Sequence, residues 1–320
     1  MPPFRFAVQA VNATSAREWC ELARKVEDLG YSTLFVADHY LGPGPAGEGS
    51  LMPPQQLAPI AAMATAAAVT QTLRIGCRVF CIDYHVPAVL AKEAATIDVL
   101  SDGRLEFGIG AGWHAAEFRA MGLVFEDAPR RVTRLEEVIA LVKAHWAGDQ
   151  LHCNGEFVSV NGYAGLPRPV QQPHPPIMVG GSRKRVLSLA AREADIVSLA
   201  NVPWMPLNDA GRTPHEEAVH RVELVREAAG ARFGALEIES SPYFSRVTER
   251  PDEALETLAV EMRGADPEVL RDHPNVLVGT AEHVSERLRA RRETIGVNYI
   301  TIPQELIDSF APVCARLTGT

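Results

Sequence analysis

Apolar positions recur along this chain in two alternating periods. Residues 4–10 alternate in the manner of a strand. Trp19, Leu22, Val26 and Leu29 then repeat at three- and four-residue intervals, the spacing of one helix face. Ser15 stands where a helix cap is favoured, and Gly30 where a helix stops. The pattern continues to the end of the chain. Short apolar runs predict strands over 33–37, 73–81, 104–109, 177–179, 196–199, 236–240 and 298–302, with the 236–240 strand able to run on to Val247. Helical spacing covers 54–70, 88–100, 114–121, 131–146, 183–193, 214–229, 282–294 and 306–317. Residues 150–170 break the rhythm with Gly, Pro and a hairpin pattern, and 251–278 are charged and irregular with helical pieces.

These are eight strands, each separated from the next by helix. Their short, wholly apolar character suits a parallel sheet buried on both faces. Strict alternation through eight units predicts a single (β/α)8 TIM barrel over 1–320, with insertions near 40–53, 150–170 and 201–213. A doubly wound open sheet is the alternative. No internal repeat or linker divides the chain.

Composition narrows the function classes. With 47% hydrophobic and 22% charged residues, the chain is neither disordered, collagen-like nor a coiled coil. A net charge of −9 argues against sequence-independent binding to nucleic acid or to an anionic membrane. The five cysteines (20, 77, 81, 153 and 314) are odd in number and show no zinc spacing, which predicts reduced thiols and no metal. The N-terminus lacks a signal-peptide pattern, and the apolar run 59–69 is too short to span a bilayer. The expected setting is the cytoplasm.

In such a barrel, chemistry belongs at the C-terminal ends of the strands. Asp38-His39-Tyr40 follows the second strand, an acid and an imidazole suited to proton transfer, with a structural hydrogen-bonded pair at a loop start as the alternative. The third strand ends in Gly76-Cys77-Arg78-Val79-Phe80-Cys81, where the glycine predicts close backbone approach or a bulge and the cysteines line core or pocket. The fourth runs into Gly108-Ile109-Gly110-Ala111-Gly112-Trp113. Its glycines lack the dinucleotide-binding spacing but admit a ligand near the backbone. The fifth ends in Gly180-Gly181-Ser182, with Ser182 expected to cap the next helix and its amides aimed at an anion. Arg183 and Lys184, in that helix's expected first turn, oppose its dipole unless an anion is nearby; a plain cap with solvated basic residues is the alternative. Trp204, Tyr243 and Phe244 read equally as pocket wall or as core. No Gly-x-Ser-x-Gly elbow, Walker loop or His-Glu-x-x-His motif supports a hydrolase, nucleotide-triphosphatase or zinc-peptidase reading.

Taken together, Ala37-Asp38-His39, Ala91-Lys92, Ala94-Ala95-Thr96, Leu100-Ser101-Asp102-Gly103-Arg104, the glycine run to Trp113, Glu117-Phe118 with Gly122, Gly180-Gly181-Ser182 and Val278-Gly279-Thr280-Ala281-Glu282 resemble the luciferase-like monooxygenase superfamily. More narrowly, the chain resembles its branch of oxidoreductases that use coenzyme F420, a deazaflavin. The resemblance implies a ring bound at the barrel mouth, with His39 as proton donor or acceptor and Asp38 contacting the ring. It also implies a bulge at Arg78-Val79, often a non-prolyl cis peptide, backing the ring, with Cys81 just beyond. Gly110 and Gly112 would lie along the cofactor, and the amides of Gly180, Gly181 and Ser182 would hold its phosphate. Trp113, Trp204 and Tyr243 would line a pocket for an organic substrate. A homodimer is expected, as is common in the family.

One departure stands out. Sugar-phosphate dehydrogenase relatives carry a catalytic acid where this chain has Trp113, and no Lys/Arg set for a substrate phosphate is evident. Sugar phosphate is therefore disfavoured as substrate. The leading expectation is hydride transfer with F420. The alternatives are an FMN-dependent monooxygenase using oxygen and a non-catalytic cofactor-binding protein.

Overall fold

The computed structural model of the chain describes residues 2–42, 55–148, 150–262 and 264–320. Most of the insertion expected over 40–53 lies outside the described residues. Eight strands close into a barrel: β1 (Arg5–Gln9), β2 (Thr33–Val36), β3 (Arg74–Cys81), β4 (Leu105–Gly110), β5 (Ile177–Gly181), β6 (Ile196–Leu199), β7 (Glu237–Ser240) and β8 (Tyr299–Pro303). Around the ring the order is β1-β8-β7-β6-β5-β4-β3-β2. Closure excludes the open doubly wound sheet. Helices fill the intervals: α1 (Ala16–Asp28), α2 (Pro59–Val69), α3 (Pro87–Leu100), α4 (Ala115–Ala120), α5 (Ala128–Ala147), α6 (Lys184–Glu193), α7 (Pro214–Ala229), α8 (Pro251–Glu261), α9 (Pro267–Asp272), α10 (Ala281–Thr294) and α11 (Ile307–Leu317). Among the described residues no helix is long and apolar enough to cross a membrane.

Contacts gather into two compact units, one of residues 9–28 and 33–180, the other of 1–8, 29–32 and 181–320. In the first, β2, β3, β4 and β5 pair in parallel. Ser15 caps α1 as expected, its hydroxyl accepting from the Glu18 amide at 3.2 Å. Strand approach is so close that a Cβ on Gly76 would meet the Glu106 carbonyl, and one on Gly108 the Cys77 carbonyl. The expected hairpin is present, with Gln150–Asn154 antiparallel to Ser159–Ala164. Its turn is held by Glu137, which accepts from the amides of Glu156, Phe157 and Val158 at 2.8–2.9 Å.

In the second unit β6, β7 and β8 pair in parallel. Arg5 lies over the Tyr299 ring and clamps Glu237 through two hydrogen bonds of 2.7 and 2.5 Å. The seventh strand does not run on to Val247: it stops at Ser240, ahead of Pro242, which has no N–H to give a ladder. The Ser245 hydroxyl donates instead to the Pro242 carbonyl, and Arg246–Val247 pairs in parallel with Val278–Gly279 as a separate small sheet. The irregular 251–278 stretch contains α8 and α9, whose Leu255, Leu258 and Leu270 pack with Val276 in an apolar cluster.

Candidate active site

Asp38, His39 and Tyr40 leave β2 on a loop, and the first two turn their side chains to different partners. The Asp38 side chain is fully buried. Its Oδ2 accepts from the Cys81 amide at 3.0 Å and lies 2.8 Å from His85 Nε2. The carboxylate thus ties the exit of β2 to the exit of β3. Its Oδ1 is buried and has no hydrogen-bond partner among the described residues.

His39 instead meets Glu117 on α4, with Nδ1 3.0 Å from Oε2. The Glu117 side chain is fully buried and saturated with donors. Oε1 accepts from the amides of Tyr40 at 2.8 Å and Leu41 at 3.0 Å, and Oε2 from the Tyr84 hydroxyl at 3.0 Å. Burial alone would push this carboxyl up, but the hydrogen bond from His39 and the Leu41 and Tyr40 amides outweigh it and hold the group at about 2. An ionised carboxylate only accepts, so the network assigns the His39 proton to Nδ1 and leaves Nε2 as the reactive nitrogen. The Trp113 ring stands edge-on to His39 at 5.8 Å and is itself 59% exposed. Burial and the nearby Asp38 carboxylate push the Tyr40 hydroxyl up to about 12, so it stays protonated at neutral pH.

At the end of β3 the register shifts between Cys77 and Phe80, and the Arg78–Val79 peptide is cis. This is the expected bulge. Arg78 Nη1 donates to Gln9 Oε1 at 3.1 Å. The Val79 side chain lies along the glycine run. A Cβ on Gly108 would stand 3.1 Å from Val79 Cγ1, one on Gly110 2.9 Å from Cγ2, and one on Gly180 3.5 Å from both. Gly112 has φ +70, and a Cβ there would lie 2.8 Å from Cys81 Sγ. Arg131 of α5 donates to the Ala111 carbonyl at 3.2 Å and also to that of Gly112. The glycines at 108, 110 and 112 therefore make room first for the protein's own Val79 and Cys81. Burial and the Asp38 carboxylate push the Cys81 thiol up, so it is a packing group rather than a thiolate.

All of these residues belong to the unit of 9–28 and 33–180. The other predicted positions lie in the second unit. Ser182 is not the cap of α6: that position is Arg183, with extended backbone and no side-chain capping bond, because the helix begins one residue later than expected, at Lys184. Gly181 is needed where a Cβ would collide with Val186. Arg183 and Lys184 are exposed. Trp204 stacks on His273 at 4.0 Å, meets Phe244 edge-on at 4.9 Å and packs against the apolar cluster of α8 and α9. Tyr243 is half-buried.

The sequence pattern contained Glu117 only as a family mark, and it did not single out Tyr84, His85 or Arg131. Each lies in a different element from the loop or glycine run it serves. Their signal was the presence of polar residues at buried positions of helices and turns, visible only once the packing is known.

The family profile described as luciferase-like monooxygenase matches residues 1–265. The FMNH(2)-dependent dimethylsulfone monooxygenase of Pseudomonas putida is 34% identical over 185 residues, 58% of this chain and 47% of that protein. The F420-dependent glucose-6-phosphate dehydrogenase of Microbacterium testaceum is 31% identical over 196 residues, 60% of this chain and 55% of that protein. The chain thus spans about half the length of these curated relatives. Among solved structures, a monooxygenase from Streptomyces bottropensis superposes with a TM-score of 0.74 at 25% identity, covering 98% of this chain and 97% of that one.

Proposed function

Because the chain belongs to the luciferase-like monooxygenase family, we propose that it is an oxidoreductase of the F420-dependent kind, transferring a hydride between the deazaflavin and a small organic substrate. The observation that carries this reading is the His39–Glu117 pair. Glu117 holds the imidazole with its proton on Nδ1, so Nε2 can take or return the proton that accompanies a hydride. A Glu117 held at about 2 also stabilises the imidazolium that results. The coenzyme, when bound, supplies the hydride chemistry, and the protein supplies position and charge. The residues fit such a ring: Asp38 Oδ1 is a buried acceptor without a partner among the described residues, and Trp113 offers an exposed aromatic face beside His39. The amides of Gly180, Gly181 and Ser182, with Arg183 and Lys184 at the start of α6, would take a coenzyme phosphate.

A second reading, an FMN-dependent monooxygenase, is favoured by Trp113. An aromatic side chain stands where the sugar-phosphate relatives carry a catalytic acid, and one close relative is named as FMNH(2)-dependent. A second copy of this chain is the proposed partner. Val89 and Leu100 of α3, eleven residues apart and so on one helix face, are exposed apolar positions that such a copy would cover.

Separate titrations with F420 and FMN, followed by absorbance and fluorescence, decide between the coenzymes. Tight binding of FMN alone would overturn the leading reading. With the bound coenzyme, His39→Ala is expected to retain binding and lose turnover by about 10²–10⁴-fold. Unchanged turnover would remove His39 from the mechanism.

A further inference from the structure

We propose that His85 is a positioning residue of this site, acting on Asp38 to keep one carboxylate oxygen free for the bound ring or substrate. The proposal rests on the coenzyme reading above and adds a residue to it. His85 follows the short helical turn Ile82–Tyr84 at the exit of β3, and its ring is set edge-on against Phe80 at 5.3 Å. Its Nε2 lies 2.8 Å from Asp38 Oδ2, and the Cys81 amide donates to the same oxygen at 3.0 Å. A carboxylate only accepts, so His85 carries its proton on Nε2 and donates.

Both donors thus converge on Oδ2. Oδ1 is just as buried and receives none at full hydrogen-bonding geometry among the described residues, the Tyr40 hydroxyl being the nearest group that faces the same carboxylate. A buried carboxylate oxygen without a donor is costly, and native structures hold one where a ligand or water completes it. The asymmetry has a structural origin. Two donors on one oxygen, one from the main chain and one from a ring wedged against Phe80, stop the carboxylate from rotating and sharing its bonds. Asp38 is also the neighbour of His39, whose ring is fixed separately by Glu117. Two adjacent loop residues are therefore locked by two crossed imidazole–carboxylate pairs. One presents a nitrogen that moves a proton. The other presents an oxygen that accepts a hydrogen bond from an N–H or O–H of the bound molecule.

The test combines a measurement without coenzyme and one with it. In the free protein, ¹⁵N NMR of the His85 ring is expected to show the Nε2–H tautomer, with a resonance that moves in Asp38→Asn. His85→Ala is expected to weaken binding of whichever of F420 or FMN the wild type binds by tenfold or more. His85→Gln keeps an N–H donor for Oδ2 and is expected to restore binding to within about threefold, a rescue that loss of packing alone would not give. If His85→Ala binds the coenzyme as tightly as wild type, or if His85 shows the Nδ1–H tautomer, the positioning role is overturned while the coenzyme reading stands. If the wild type binds neither F420 nor FMN, the coenzyme reading fails and the role falls with it.

Discussion

At the scale of single residues, the site turns on which nitrogen of His39 carries the proton. Glu117 decides it by being an obligatory acceptor. Glu117→Gln keeps an oxygen for the Tyr40 and Leu41 amides but turns an NH₂ group toward His39 Nδ1. The imidazole must then accept there, which moves its proton to Nε2 and removes the reactive lone pair. Turnover is expected to fall by about 10²–10³-fold with the fold intact. The ¹⁵N shifts of His39 in the variant report the tautomer directly, and an unchanged Nδ1–H signal would refute the mechanism. Asp38 and His39 were legible in the sequence because both follow a strand end, where barrel chemistry collects. Glu117 was not legible as their partner, since it stands 78 residues along the chain from His39. Its burial against the loop is a fact of packing that no local pattern carries.

At the scale of elements, the glycine run of β4 shows what a pattern gives and withholds. Gly108, Gly110 and Gly112 stand out as residues without side chains, but the sequence does not say what occupies the space. It is Val79 from the β3 bulge, together with the Cys77 carbonyl and the Cys81 sulfur. The two kinds of neighbour respond differently to substitution. Gly110→Ala meets a Val79 methyl at 2.9 Å and otherwise the Gly180 carbonyl at an ordinary 3.8 Å, so it is expected to cost about 1–3 kcal/mol, most of it recovered in the double variant with Val79→Ala. Gly108→Ala meets main chain at Cys77 as well as Val79 Cγ1 and should cost more, with only a small recovery from Val79→Ala. Urea-denaturation midpoints of the single and double variants check both, and an equal rescue at the two positions would contradict this packing. Strand periods and helix starts were read to within a few residues because each depends on local chemistry. The differences at two boundaries arose from single residues. Pro242 kept β7 to 237–240 without the optional extension to Val247, and an extended Arg183 moved the start of α6 past Ser182.

At the scale of the whole molecule, stability should respond to acid in two separate steps, the first led by His273 and the second by Glu117. His273 is fully buried, with Nδ1 accepting from the Asn275 amide at 3.1 Å and Nε2 3.3 Å from the Pro203 carbonyl. Burial lowers it from 6.5 to about 4. A group depressed on folding stabilises the native state above its unfolded value, and that stabilisation is lost as pH falls toward the folded value. His273 therefore contributes on the order of 3 kcal/mol that disappears between pH 6.5 and about 4. His114 and His145, lowered by burial as well, act in the same direction below 6.5. Glu117, lowered from 4.5 to about 2, has the same sign in a more acidic window, so its contribution is present above pH 4.5 and lost below it. Chemical-denaturation free energies measured from pH 7 to pH 3 should thus decline first below 6.5 and again below 4.5. His273→Gln should flatten the first decline while lowering stability at neutral pH, and Glu117→Gln should flatten only the second. A wild-type profile that stays level between pH 6.5 and 4.5 would show that His273 is not held neutral in the folded protein.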